Sequence, residues 1–112
     1  MVSWYNKYMK IAILSDIHSN MNNLVLVKKA IDEQKIKTVI CCGDIQSKEV
    51  FQELDSWKQN VYLSLGNVDK ELERQLEAGL IWPERLKYFP DFGELKLEGK
   101  KIAFCHFKVR AY

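Results

Sequence analysis

Apolar residues fall along this chain of 112 residues in short runs, separated by stretches with helical spacing. Lys10-Ile11-Ala12-Ile13-Leu14-Ser15 is the first run, fit for a strand buried on both faces. Leu24, Val27, Ala30 and Ile31 then recur at helical spacing up to about Gln34, and Asn20 or Asn22 can cap that helix. Thr38-Val39-Ile40-Cys41-Cys42 reads as a second strand, ended by Gly43. Val50, Phe51, Leu54 and Trp57 mark a second helix, and Val61-Tyr62-Leu63-Ser64-Leu65 a third strand closed by Gly66. Asp69 starts a helix rich in Glu, Leu, Arg and Gln that ends near Gly79, with Leu72 and Leu76 on one face. A less regular stretch holds Trp82, Pro83, Phe89 and Pro90. Glu94-Leu95-Lys96-Leu97 and Ile102-Ala103-Phe104-Cys105 flank Glu98-Gly99-Lys100-Lys101, which is a hairpin signal.

The first two-thirds therefore repeats strand and helix, which predicts an α/β fold around a parallel sheet with right-handed crossovers. The last third changes to hairpin character. No repeat, low-complexity segment or linker interrupts the chain, so one domain is expected. Residues 1–8, ahead of Met9, read as an N-terminal tail; the alternative is an arm packing Trp4 and Tyr5 on the body.

Composition narrows the picture by exclusion. Apolar residues make up 47% and charged residues 29%, as in ordinary soluble domains. A net charge of +2 gives no clear nucleic-acid surface and no reason for an anionic membrane as partner. No apolar run reaches the ~18 residues of a membrane-crossing helix. Cys41, Cys42 and Cys105 form neither a disulfide framework nor a zinc spacing. They read as buried, reduced thiols of a cytoplasmic protein. The chain lacks Gly-x-Gly-x-x-Gly, Gly-x-x-x-x-Gly-Lys and Gly-x-Ser-x-Gly, which removes the usual dinucleotide, nucleoside triphosphate and serine-esterase signals.

The candidate chemistry sits just past the three apolar runs, at Asp16-Ile17-His18, Gly43-Asp44 and Gly66-Asn67. An open α/β sheet gathers ligands at the carboxyl ends of its strands. Asp16 and His18 are two apart, so at an extended strand end both side chains point to one side and can grip one cation. Asp44 follows a glycine that lets the backbone come close, and its two oxygens could bridge two metals. Asn67 offers an amide oxygen, and His106, after the last apolar run, could supply a second imidazole. Oxygen and nitrogen ligands together suit Mn, Fe, Co, Ni or Zn. Two such cations about 3.5–4 Å apart can activate a bridging water and neutralise a phosphoryl group, which makes phosphate esters the natural substrate class. Each piece alone has a plainer role, as a turn residue, a helix cap or a core histidine; Asp69 reads first as the cap of its helix.

The segment Met9-Lys10-Ile11-Ala12-Ile13-Leu14-Ser15-Asp16-Ile17-His18-Ser19-Asn20 resembles the opening of the calcineurin-like metallophosphoesterases. Cys42-Gly43-Asp44 resembles their second motif, and Leu65-Gly66-Asn67-Val68-Asp69 the third, in the form of the small single-domain phosphodiesterase branch. Glu94 to His106 resembles that branch's hairpin leading to its histidine motif. The resemblance implies a four-layer α/β/β/α sandwich, here with most of the second sheet missing. It implies two divalent metal ions, with Asp16 and His18 on the first, Asn67 and His106 on the second, and Asp44 on both. Manganese is the expected ion, with Fe, Ni, Co or Zn as variants. The implied activity is phosphodiester hydrolysis, with no catalytic residue beyond the metal-bound water. Val68 stands where several members carry a proton-donating histidine, so leaving-group protonation would come from water or be unnecessary.

The family closes its site with a Gly-His-x-His loop further on. His18 and His106 are the chain's two histidines, Phe107 follows His106 where the family has Gly, and residues 107–112 carry no family motif. The expectation is thus a phosphoesterase domain over residues 9–112 that is truncated at its C-terminus. Strand 101–106 would then show unpaired backbone groups or an apolar face, leading to marginal stability or self-association. A metal-dependent phosphoesterase is the first functional reading. A non-catalytic metal-binding or scaffold module of the same fold, and an inactive fragment, are the others.

Overall fold

A computed structural model describes residues 10–15, 17, 20–97, 99–105 and 109–111. The first apolar run forms β1, Ile11–Leu14. Asn20 then accepts the Asn23 backbone N–H at 3.0 Å and opens α1, Met21–Glu33. Two turns apart on one face, Leu24 and Ile31 are buried. β2 covers Thr38–Cys42. Ser47 Oγ accepts the Val50 N–H at 3.3 Å and starts α2, Lys48–Ser56, which buries Val50, Phe51 and Leu54. β3 covers Asn60–Ser64, a short 3-10 turn Asn67–Asp69, and α3 Lys70–Glu77 with Leu72 and Leu76 buried. Four further strands follow: β4 Lys87–Phe89, β5 Phe92–Leu97, β6 Lys100–Cys105 and β7 Val109–Ala111.

The strands form a parallel sheet in the order β1-β2-β3-β4 and an antiparallel sheet in the order β5-β6-β7. Strand alternation sorts the core into two parts. Ala12, Leu14, Val39, Cys41, Val61 and Leu63 face the helices and pack on Leu24, Ile31, Phe51, Leu54, Trp57 and Leu72. On the opposite face, Ile11, Ile40 and Cys42 meet Ile102 and Phe104 of the antiparallel sheet. The described residues thus supply helices, parallel sheet and antiparallel sheet, in that order, of the α/β sandwich expected from the resemblance. No helix among them is long and apolar enough to cross a membrane.

Two elements differ from the sequence reading. Lys87–Phe89, within the stretch read as irregular, is the fourth strand of the parallel sheet. Val109–Ala111 pairs with β6 on the side away from β5. The segment expected to show an unpaired edge at 101–106 is therefore the middle strand of its sheet, and the outer strands are β5 and β7. Of the three thiols, Cys41 and Cys42 are buried and Cys105 is half-buried. The proposed tail, residues 1–8, lies outside the described residues.

Candidate active site at the carboxyl edge of the parallel sheet

In the parallel register Leu14 lies beside Cys41, and Cys42 beside Ser64. The carboxyl ends of β1, β2 and β3 are therefore neighbours, and the segments that leave them start from one edge of the sheet. β6 packs across this sheet through Ile102 and Phe104, and Cys105 is its last residue.

The segment after β2 is built on unusual backbone. Gly43 has φ 79°, and Asp44 and Gln46 have φ 56° and 65°. Left-handed backbone is free for glycine, but L side chains occupy it only when their surroundings hold them there. Asp44 is 8% exposed in that position. What holds it is Asp69, from the segment after β3. One Asp69 carboxylate oxygen, Oδ2, accepts the backbone N–H groups of Asp44 at 2.9 Å and Gly66 at 2.8 Å. The other, Oδ1, accepts the Gln46 N–H at 2.8 Å. Asp69 does stand at the N-terminus of α3, but its side chain makes no capping bond to that helix. Its cap-like reach goes back to Gly66, at the start of the 3-10 turn that carries Asn67. The sequence reading of Asp69 as a helix cap thus gives way to a bridge between the Gly43-Asp44 and Gly66-Asn67 turns. A cap and a bridge look alike in sequence, because the donors lie 23 and 25 residues back.

Burial pushes the Cys41 thiol well above its ordinary range. Burial, with Cys105 nearby, pushes the Cys42 thiol up to about 12. Both are therefore protonated at neutral pH in the metal-free chain.

Of the sequence-predicted ligands, Asp44 leaves β2 and Asn67 opens the 3-10 turn after β3. Asp16, His18 and His106 lie outside the described residues. Ile17, between the first two, packs against the helix-side core. Among the described residues no group of three His, Cys, Asp or Glu side chains could hold a metal ion. Two surface hollows lie at the opposite, amino end of the sheet. One is lined by Ile36, Lys37, Lys58, Gln59 and Asn60, the other by Asn60, Val61, Tyr62, Arg85 and Lys87. Neither contains a candidate ligand.

The calcineurin-like phosphoesterase superfamily domain matches residues 9–111 of this chain. The chain belongs to the calcineurin-like phosphoesterase family. It is 35% identical over 98 residues to a phosphodiesterase of Methanocaldococcus jannaschii, covering 88% of this chain and 58% of that protein. It also superposes on a solved structure described as a novel archaeal phosphodiesterase, with a TM-score of 0.70 and 27% identity. That match covers 89% of this chain and 60% of the solved one. The chain thus spans under two-thirds of the length of either relative. Within the matched residues, Asp69 ties together the turns at Gly43-Asp44 and Gly66-Asn67.

Proposed function

We propose that this chain is a metal-dependent phosphoesterase acting on phosphodiesters. The observation that carries the reading is the joining of the Gly43-Asp44 and Gly66-Asn67 turns on one buried carboxylate at the carboxyl edge of the parallel sheet. That edge is where open α/β sheets take their ligands. The family match over residues 9–111 and the phosphodiesterase names of both relatives support it.

In this reading Asp16 and His18 would hold one divalent cation, Asn67 and His106 a second, and Asp44 would serve both. The donor set fits: carboxylate and amide oxygens with imidazole nitrogens suit Mn²⁺ or a borderline ion of its row. Asp44, nearly removed from water, is a carboxylate that positive charge would compensate. When bound, the cations supply positive charge against the phosphoryl oxygens and an acidified water. The chain's own part is to hold its ligands at fixed distances. The left-handed turn aims Asp44, and the 3-10 turn delivers Asn67 from the neighbouring strand. Val68, 46% exposed, offers no proton, so the leaving group takes one from solvent.

The test is Mn²⁺-dependent hydrolysis of bis-p-nitrophenyl phosphate by the purified chain, with Asp44→Asn alongside. Turnover is expected in the wild type, with a loss of about a hundredfold in the variant, since a group that only supports a metal ligand is typically worth about 10–100-fold and Asp44 would be a ligand itself. Metal uptake without turnover would favour the non-catalytic module of the same fold.

A further inference from the structure

Asp69 is 1% exposed, and every hydrogen bond described for its side chain goes to a backbone N–H of the two motif turns. We infer that Asp69 is a positioning residue for the cation site: it fixes the backbone of the two turns that carry Asp44 and Asn67. The inference rests on the metallophosphoesterase reading above.

Three features separate this role from an ordinary loop bond. First, the donors come from two different turns, after β2 and after β3, so the carboxylate sets their separation as well as their shape. Second, two of the three donors, Asp44 and Gln46, are the non-glycine residues with left-handed backbone in this loop. Relaxation of the Asp44 φ would redirect its side chain, and relaxation at Gln46 would change the path of the turn. Third, a carboxylate is acceptor-only when ionised, so both of its oxygens can face N–H groups at once. An amide of the same size cannot do this: turned either way, its NH₂ confronts at least one N–H. A negative charge held here also adds to the field that a cation bound by Asp44 would feel.

The experiment uses the full chain, labelled with ¹⁵N, and titrates Mn²⁺ by calorimetry in wild type, Asp69→Asn and Ile36→Ala. The last substitution empties part of the helix-side core beside the amino end of the sheet, away from the site. Asp69→Asn is expected to lose Mn²⁺ affinity about 10–100-fold, the range found when groups supporting metal ligands are removed. The amides of Asp44, Gln46 and Gly66 are expected to lose their protection from hydrogen exchange. Ile36→Ala is expected to bind Mn²⁺ as the wild type does, so that lost affinity in Asp69→Asn is not the effect of lower stability alone. Wild-type affinity in Asp69→Asn overturns the inference alone. A wild type that takes up no Mn²⁺ overturns the proposed function and the inference with it. Should Asp69→Asn fail to fold, the metal-free wild type decides: free exchange at these three amides overturns the inference, and slow exchange upholds it.

Discussion

Asp55, on the last turn of α2, accepts the backbone N–H groups of Glu84, Arg85 and Leu86 at 2.9, 2.9 and 2.7 Å. Arg85 answers by donating to the carbonyls of Trp57 and Lys58 at 2.6 and 2.7 Å. Burial alone would raise the Asp55 pKa, but the three N–H bonds and the Arg85 charge outweigh it and hold the group below its ordinary 3.8. A folded-state pKa below the unfolded value means that ionised Asp55 contributes stability above about pH 4. That contribution is lost as the pH falls through the depressed pKa. Asp55→Asn should therefore lose less stability than wild type between pH 7 and pH 3, read by urea melts at both values. Glu71, held at about 2 by its surface pair with Arg74, adds its own acid sensitivity, but equally to both proteins. At pH 7 the variant should be weaker by about 1 kcal/mol, since solvent screens this half-exposed group. Equal acid losses in the two proteins would show that the carboxylate adds no pH dependence. Asp55 and Asp69 share one lesson about legibility. Asp44 and Asn67 could be found in the sequence because each follows a glycine that ends an apolar run. The two carboxylates that organise loops could not, because all their partners but Gly66 are backbone N–H groups more than twenty residues distant, and none carries a side-chain signature.

The same physics separates the elements that periodicity reveals from those it hides. β1, β2, β3, α1, α2, α3 and the β5–β6 hairpin were all legible, since each is long enough to repeat its apolar pattern or is punctuated by glycine or a cap. β4 and β7 are three residues each, too short for a period of two to register. β4 also lies between Pro83 and Pro90. It is placed from outside: by Asp55 just before it, by the Leu65 N–H donating to the Phe89 carbonyl at 2.9 Å, and by Phe51 against the Tyr88 ring. Phe89 then stands edge-on to Phe104 with ring centroids 5.5 Å apart, joining the end of the parallel sheet to the middle of the second. Gly93 makes room for that contact. A Cβ there would sit 2.4 Å from the Phe104 ring and 2.8 Å from Phe89. Phe104 is 1% exposed and cannot swing clear at low cost. Gly93→Ala should therefore destabilise the chain by about 1–3 kcal/mol, the usual cost of overpacking. A thermal melt within about 1 °C of wild type would show that the two sheets yield more easily than this packing implies.

At the scale of the whole molecule, the question is how the two sheets are held to one another. Their shared core is small: Ile11, Ile40 and Cys42 from one side, Ile102 and Phe104 from the other, with Ile13, Tyr62, Phe89, Leu95 and Leu97 at its margin. The helix-side core is much the larger. In the proposed site, Asp44 follows a strand of the parallel sheet and His106 follows β6 of the antiparallel one. A cation pair ligated by both would then be a cross-link between the sheets at the edge of their thinner interface. Because binding to the folded state alone stabilises it by mass action, Mn²⁺ at a hundred times its Kd should add about 2.7 kcal/mol. For a chain of this size that corresponds to a rise in Tm on the order of 10 °C, reversed by EDTA. His106→Ala should reduce the rise while leaving the metal-free Tm nearly unchanged. The discriminating measurement is a pair of melts with and without Mn²⁺ on wild type and variant. A full wild-type rise in His106→Ala would remove His106 from the ligand set. No rise in either would mean that no cation joins the sheets, and that the small shared core holds them by packing alone.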